Sequence, residues 1–285
     1  MNNNNTIPKI IHQIWYQGEN NIPKDYPNYS QTWKKYNPEF EYILWDQEKI
    51  ENLIKTNFPQ FLEKHNSFPQ LMQKIDSAKS MILYTHGGVY VDIDSECTKN
   101  ISDLINKNEI VLAKCDINIF IRMFMYKTTN EIIQAGFMAT VKNHPFWKYC
   151  VHLMLKEDIN KGMFETHEQW IHRITGPGMY TRAFYSFPNT EKFTVLSQDF
   201  IDPIQACEYD YYDCDKNNCK INYPNAYAFH HYGSKHETHG WLSGFGKQAS
   251  KLYCKNQSYI YSIICVCIII LIIFVYLYLK RNNYV

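Results

Sequence analysis

Asp92 and Asp94 are the residues best placed to do chemistry, in the stretch "GGVYVDIDSE" from Gly87 to Glu96. If they end an apolar strand, their spacing sends both carboxylates to one side and Ile93 to the other. Two carboxylates that close repel each other and are costly to desolvate, so a positive partner is required. The candidates are a lysine or arginine cluster and a divalent ion. Hard carboxylate oxygens suit Mg²⁺ or Mn²⁺, which keep open positions for phosphate oxygens. Such an ion would neutralise charge building on a departing diphosphate. A solvated strand terminus is the plain alternative. A phosphoryl-transfer "DxDxT" arrangement fails, because Ser95 and Glu96 follow the pair and the strand is not near the start of the chain.

Elements able to position this pair alternate along the chain. Ile7 to Gly18 reads as a buried strand running into a loop, Tyr26 to Tyr36 as a helix, Glu39 to Asp46 as a second strand and Gln47 to Lys55 as a short helix. Pro69 to His86 is the clearest helix. Pro69 opens it, Leu71, Met72, Ile75, Ala78, Met81 and Ile82 recur at helical spacing, and Gly87-Gly88 ends it. Glu109 to Cys115, Ala135 to Val141, Lys192 to Ser197 and Ala226 to Tyr232 read as further strands. His144 to Lys156 reads as a helix, and "TGPGMYTRAFYSF" as a glycine-proline turn entering another. This alternation predicts one α/β domain with a mainly parallel sheet, whose ligands bind beyond the carboxyl ends of the strands.

The chain has 285 residues, 45% apolar and 16% aromatic, ample for a core. A net charge of +1 with dispersed basic residues argues against a nucleic-acid partner. No internal repeat is present, and "MNNNN" reads as a floppy tail with no signal peptide behind it. Of nine cysteines, Cys265 and Cys267 lie in an apolar run, which leaves an odd seven and no CxxC pair. Cys207, Cys214 and Cys219 read as free thiols, with a loop disulfide or metal clip as alternatives.

That run, Tyr259 to Leu279, holds 21 residues without a charge before Lys280 and Arg281. At about 1.5 Å per residue it measures roughly 30 Å, enough to cross a bilayer. The expected organisation is a tail (1–6), a catalytic domain (7–245), a linker (246–258), a transmembrane helix (259–279) and a short tail (280–285). Lysines flank both ends, so the positive-inside rule does not orient the span. Without an N-terminal signal, a tail anchor with the catalytic part in the cytosol is expected, with a luminal placement as the alternative.

"IPKIIHQIW", "NPEFEYILWD", "IDSAKSMILYTHGGVYVDIDSE", "NHPFWKY" and "ITGPGMYTRAF" resemble, in this order, the DXD-containing sugar transferases of glycosyltransferase family 32. That family includes yeast initiating α-1,6-mannosyltransferase and inositol-phosphoceramide mannosyltransferase. Bacterial capsular polysaccharide transferases and glucosylating clostridial toxins share the central block. The specific part is an aspartate sixteen residues before the pair, then Gly-Gly, then the pair. The resemblance, from Ile7 to Trp241, implies a single-domain GT-A fold. It implies that Trp15 stacks on the donor base, that Asp76 holds donor hydroxyls, and that Gly87 and Gly88 lie in the donor-binding block. It further implies that Asp92 contacts donor hydroxyls or water-linked metal and that Asp94 ligates the metal. Lys79 stands where the family commonly has arginine. It keeps the charge but loses the two-pronged geometry. By themselves, Trp15 also reads as a core residue and Asp76 as a helix-surface carboxylate.

"AFHHYGSKHETHGW" carries His230, His231, His236 and His239, with "GSK" where the family has "GSW". His231 is the expected completing metal ligand. A zinc site of His231, His236 and His239 lacks a recognised spacing, and an exposed loop is the plain reading. The resemblance brings "TGPGMYT" near donor sugar and acceptor. It implies a membrane-anchored, Mn²⁺- or Mg²⁺-dependent retaining transferase, with Asp76, Asp92 and Asp94 as its catalytic set. Such an enzyme moves a sugar from a GDP- or UDP-sugar to a glycan or lipid acceptor. The rivals are a non-catalytic nucleotide-sugar-binding scaffold and a metal-dependent phosphohydrolase.

Overall fold

The computed structural model of the chain describes residues 6–23, 28–106, 108–117, 119–204, 219–231 and 256–281. They fall into two compact units, residues 1–204 with 218–231, and residues 205–217 with 232–285. The first unit is built on strands β1 (Ile10–Ile14), β2 (Glu41–Trp45), β3 (Gly88–Val91), β5 (Ile110–Cys115), β6 (Ile132–Thr140) and β7 (Thr194–Leu196). Their order in the sheet is β2-β1-β3-β6-β5-β7. The pairs β1–β2, β1–β3 and β5–β7 are parallel, and β6 runs antiparallel to both neighbours. The expected mainly parallel α/β sheet is present, with one reversed strand at its centre.

Both faces of the sheet are covered, which explains why its central strands are apolar at consecutive positions. Tyr90, Ile110, Leu112 and Met138 pack into one core. Val89, Val91, Val111, Ala113, Phe137 and Ala139 pack into the other. The first core is closed by α2 (Gln47–Asn57), α4 (Leu71–His86), α7 (Pro145–Lys156) and α9 (Pro177–Ser186). The second is closed by α1 (Tyr29–Tyr36), whose Trp33 is fully buried, and by the turn of helix α5 (Ser102–Ile105). Shorter helices are α3 (Leu62–Ser67), α6 (Ile119–Ile121), α8 (His167–Ile174), α10 (Gln198–Ile201) and α11 (Cys219–Asn222).

Helix α4 starts at Leu71, two residues after the predicted start at Pro69. Gln70 and Gln73 exchange side-chain and backbone hydrogen bonds in a capping box. It ends at Gly87, where φ is +66° and the amide donates to Leu83 O at 2.9 Å. Gly88 follows with φ +87°, and a Cβ there would lie 2.6 Å from Ile10 O. These glycines reverse the chain from α4 into β3 against β1.

The aspartate pair is not on a strand. β3 stops at Val91, and the amide of Ser95 donates to Asp92 O at 3.1 Å, closing a turn over Asp92, Ile93 and Asp94. The chain then leaves the six-stranded sheet. Strand β4 (Ser95–Cys97) pairs antiparallel with β8 (Ala228–His230) in a separate two-stranded sheet. Strand alternation therefore does not bring the two carboxylates together; the turn does.

In the second unit the described element is helix α12 (Gln257–Arg281), 25 residues long. Among the described residues, no helix is long and apolar enough to cross a membrane. The helical backbone covers the whole uncharged run 259–279 read from the sequence.

Two consequences of the packing are testable. Gly88→Ala adds a strained φ and a clash with a strand carbonyl. It should cost about 2 kcal/mol or more and lower the Tm by several degrees in thermal denaturation. His12 and His65 are buried and neutral. His12 Nδ1 accepts from Trp45 Nε1 at 3.1 Å, leaving Nε2–H for Gly87 O at 2.9 Å. Burial pulls both rings down to about 4 from an ordinary 6.5. Between those values the unfolded chain binds more protons, so their contribution is complete above about pH 6.5 and is lost as pH falls toward 4. The Tm should fall across that window, and a His12→Asn, His65→Asn double variant should show a shallower slope. An equal slope would refute the assignment.

Candidate active site

Helix α4 presents Asp76 and Lys79 on one face, one turn apart. Lys79 is 2% exposed, and its three ammonium protons find three acceptors. Nζ lies 2.8 Å from Asp76 Oδ1, 3.1 Å from Asp92 Oδ1 and 3.2 Å from Ala135 O on β6. The Tyr90 ring stands 4.8 Å from Nζ, and its hydroxyl donates to Asp92 Oδ1 at 2.8 Å. Below Asp76, Tyr180 OH donates to the Asp76 carbonyl at 3.0 Å and contacts Ser80 Oγ at 3.1 Å.

The aspartate turn is held by its backbone. Asp92 N donates to Gly136 O at 3.0 Å, and His231 N donates to Asp94 O at 2.9 Å. Gln13 Nε2 donates to Asp92 O at 3.0 Å, while its Oε1 accepts from Ser30 Oγ and Tyr42 OH. Lys79 and Tyr90 occupy Asp92 Oδ1, so Oδ2 is left to face His230. His230 Nε2 lies 3.4 Å from Asp92 Oδ2 and 3.0 Å from Asp94 Oδ1. One ligand atom from each of Asp92, Asp94 and His230 lies within 4.8 Å of the others. Across the turn, a Cβ at residue 136 would lie 3.0 Å from Asp92 Oδ2, so glycine keeps that oxygen uncrowded.

The charges are strongly coupled. Burial alone would push the Asp92 carboxyl up, but Lys79, His230 and Tyr90 together hold it well below the usual carboxylate range. Burial disfavours the charged form of Lys79, yet Asp76 and Asp92 hold the ammonium protonated far above neutrality. His230 is likewise pushed up by Asp94 and Asp92 despite burial, so without a cation it bridges the two carboxylates as imidazolium. Two carboxylates and an imidazole, with one oxygen kept open by Gly136, fit a Mn²⁺ or Mg²⁺ ion in ligand chemistry and spacing.

Asp76, Lys79, Asp92 and Asp94 are thus brought together. Gly87 and Gly88 are not. They sit at the other end of β3, about 13–17 Å from Asp92 at strand rise, and shape the α4–β3 turn. Trp15 follows β1, half-buried, with its amide donating to Trp45 O at 2.9 Å. His231, chosen from the sequence as the completing ligand, turns away. Its Nε2 lies 3.2 Å from Glu96 Oε2, and its ring stacks on Tyr29 at 4.1 Å. Neighbours along an extended chain project to opposite sides, so His230 faces the aspartates and His231 cannot. His236, His239, the "GSK" segment, Cys207 and Cys214 lie outside the described residues, as does the Cys219 side chain. The "TGPG" turn caps α9, and a Cβ at residue 176 would lie 3.4 Å from Asp76 Oδ2. Sequence reasoning missed His230, Tyr90 and Gly136. The register of β8 against β4 would have found the first, but that pairing is nonlocal.

Residues 23–111 match the family model described as "Glycosyltransferase sugar-binding region containing DXD motif". An uncharacterized glycosyltransferase of Acanthamoeba polyphaga mimivirus is 36% identical over 144 residues, 50% of this chain and 53% of that protein. Inositol phosphoceramide mannosyltransferase 1 of Schizosaccharomyces pombe is 36% identical over 155 residues, 53% of this chain and 43% of that protein. Among solved structures, the PaToxG glycosyltransferase aligns with a TM-score of 0.45 at 18% identity, over 63% of this chain and 69% of that one. The chain therefore spans about half or less of the length of these two curated relatives. The matched segment contains Asp76, Lys79, Asp92 and Asp94, and the resemblance to the DXD-containing glycosyltransferases holds.

Proposed function

We propose that the chain is a retaining glycosyltransferase of GT-A type that moves a hexose from a GDP- or UDP-sugar to a hydroxyl on a glycan or lipid. The observation that carries this reading is the cluster of Asp92, Asp94 and His230, braced by buried Lys79 beside Asp76 within a DXD-type sequence block. Residues 7–245 carry the catalytic domain. The uncharged run 259–279 on α12 supports membrane anchoring through that helix.

Asp94 Oδ1, Asp92 Oδ2 and His230 Nε2 would hold the divalent cation. When bound, the ion would supply neutralisation of the charge that develops on the leaving diphosphate. Lys79 fixes Asp92 so that one oxygen serves the brace and the other the site. Asp76 keeps Oδ2 beside Gly176, toward donor hydroxyls. Trp15, half-buried after β1, is the platform for the donor base. Asp76, the remaining carboxylate here, is tied to Lys79, which makes it a poor nucleophile. Front-face attack, with the departing phosphate assisting deprotonation of the acceptor, therefore suits the site better than a covalent sugar intermediate.

The test is nucleoside diphosphate release by the full chain in detergent, with Mn²⁺ and a panel of UDP- and GDP-sugars. Release from one donor should be abolished by EDTA and by Asp94→Asn. His230→Ala should weaken Mn²⁺ binding at least about tenfold, whereas His231→Ala should leave it within about threefold. Equal effects of the two histidine variants would sink the ligand assignment. No release with any donor would favour a scaffold. The brace has a separate consequence: Lys79→Met leaves the buried Asp76 carboxylate without a counter-charge and Asp92 without one of its two, and should cost about 3–5 kcal/mol of stability. An unchanged Tm would remove Lys79 from its central role.

A further inference from the structure

Strand β6 is irregular where it passes the site. Its pairing with β5 runs as far as Met138 opposite Leu112 and resumes with Ile133 opposite Lys114, so Ala113 alone stands against residues 134–137. Extra residues of this kind bend a strand and re-aim its side chains, and they recur beside active sites. The bulged segment gives its backbone to the cluster. Ala135 O accepts from Lys79 Nζ at 3.2 Å, and Gly136 O accepts from Asp92 N at 3.0 Å. Just before the bulge, the Ile133 amide donates to Thr181 Oγ1 at 3.0 Å, which holds the segment on α9.

Gln134 is the polar side chain of this segment, and it is 8% exposed. A Cβ at residue 136 would lie 3.0 Å from Asp92 Oδ2 and 3.6 Å from Gln134 Oε1, so both oxygens border the space that Gly136 keeps open. At the other end of the amide, Nε2 is buried and makes no hydrogen bond among the described residues. Buried amides are normally paired, and an unpaired one is destabilising. Gln13 on β1 shows the contrast, because its amide is engaged at both ends by Asp92 O, Ser30 and Tyr42. The neutrality of Gln134 also matters. A carboxylate here would add to the repulsion among Asp76, Asp92 and Asp94, and a lysine would compete with a cation for Asp92. A carboxamide brings an acceptor and two donors without changing the charge, the complement of a hydroxyl, which both donates and accepts. A site built to hydrogen-bond a hydroxyl discriminates sharply against a substrate that lacks it.

We propose that Gln134 is a specificity-determining contact to the sugar being transferred, its carboxamide reading one ring hydroxyl in the space over Gly136. As the side chain stands, the hydroxyl donates to Oε1. A half-turn about the broad last torsion of glutamine presents Nε2 to the hydroxyl oxygen instead. Other roles suit the geometry less. A divalent ion has use for Oε1 alone and gives Nε2 none, and a purely structural amide would be paired at Nε2 within the fold. The assignment rests on the sugar-transfer reading above and adds a sugar-reading residue to the same site.

The test uses the full chain in detergent and its Gln134→Met variant, which keeps the length of the side chain and removes the amide. In thermal denaturation without metal or nucleotide, the variant should melt with the parent or above it, because an unpaired buried amide is lost. A Tm several degrees lower gives the amide a structural role and overturns the proposal. With Mn²⁺, the variant should bind GDP and UDP within about threefold of the parent, and the nucleotide sugar that the parent cleaves at least about tenfold more weakly. Analogues of that donor, each lacking one ring hydroxyl, locate the contact. One of them should bind the parent at least about tenfold more weakly than the full donor, yet bind the variant as tightly as the full donor does. Equal losses for the nucleoside diphosphate and the nucleotide sugar, or weakened Mn²⁺ binding, assign Gln134 to the diphosphate or the ion and overturn the proposal. So does a set of deoxy analogues whose penalties all survive in the variant. A parent chain that binds neither nucleoside diphosphates nor nucleotide sugars removes the transferase reading and this contact with it, whereas sugar-dependent binding that Gln134→Met leaves intact removes this contact alone.

Discussion

The site depends on one buried ammonium group. Lys79 sits between Asp76, Asp92 and the Ala135 carbonyl, and through them it ties helix α4, the turn after β3 and the central strand β6 to a single point. Each partner alone would be a poor thing to bury: a lysine pays a large desolvation penalty, and two carboxylates add mutual repulsion. Together they satisfy every proton on Nζ and fix the Asp92 carboxylate in one orientation. A guanidinium would offer more donors than the three acceptors provided here, so the lysine suits the cage as built. The helix register, the glycine turn into β3 and the reversed strand β6 all serve to keep these distances.

Division of labour within Asp92 follows from that cage. Oδ1 is saturated by Lys79 and Tyr90, which leaves Oδ2 for the open side with Asp94 and His230. A strand could not do this, because it would hold Asp92 and Asp94 at fixed, parallel spacing along the sheet edge. Ending β3 at Val91 and turning over Asp92–Asp94 lets the two carboxylates converge on one imidazole. The small β4–β8 sheet then brings His230 back from a distant part of the chain.

Much of this was legible in the sequence where signals are local. Helix α4 was marked by its apolar period and terminal glycines, and the central strands by runs of Val, Ile, Ala and Met. Asp92 and Asp94 stood out by spacing, whereas Asp76 and Lys79 came only through the family resemblance. What was not legible depends on pairing between distant segments. Nothing in "EIIQAGFMATV" states that β6 runs against its neighbours. Nothing near His230 and His231 states the register of β8 on β4, which alone decides which ring faces the aspartate pair. The double aspartate read as a strand end because Val, Tyr and Val precede it, while the departure of the chain toward β8 is set by a partner more than a hundred residues away. Gly87 and Gly88 were read as donor contacts, yet their positive φ and crowded surroundings give them a backbone role.

Charge balance links the cage to the open cluster. Without a divalent ion, three carboxylates face two cations, Lys79 and the His230 imidazolium, so repulsion between Asp92 and Asp94 is relieved by the proton on His230. A divalent ion entering the cluster would take over that duty and would need His230 neutral, since a ligating imidazole must give up its proton. A proton and a divalent ion would therefore compete for the same two aspartates. Lys79 lies outside this exchange. Its three acceptors are all inside the cage, so it preserves the position of Asp92 whichever cation occupies the open side. That separation between a permanent internal charge and an exchangeable external one allows three acidic groups to be held ready in a largely buried place.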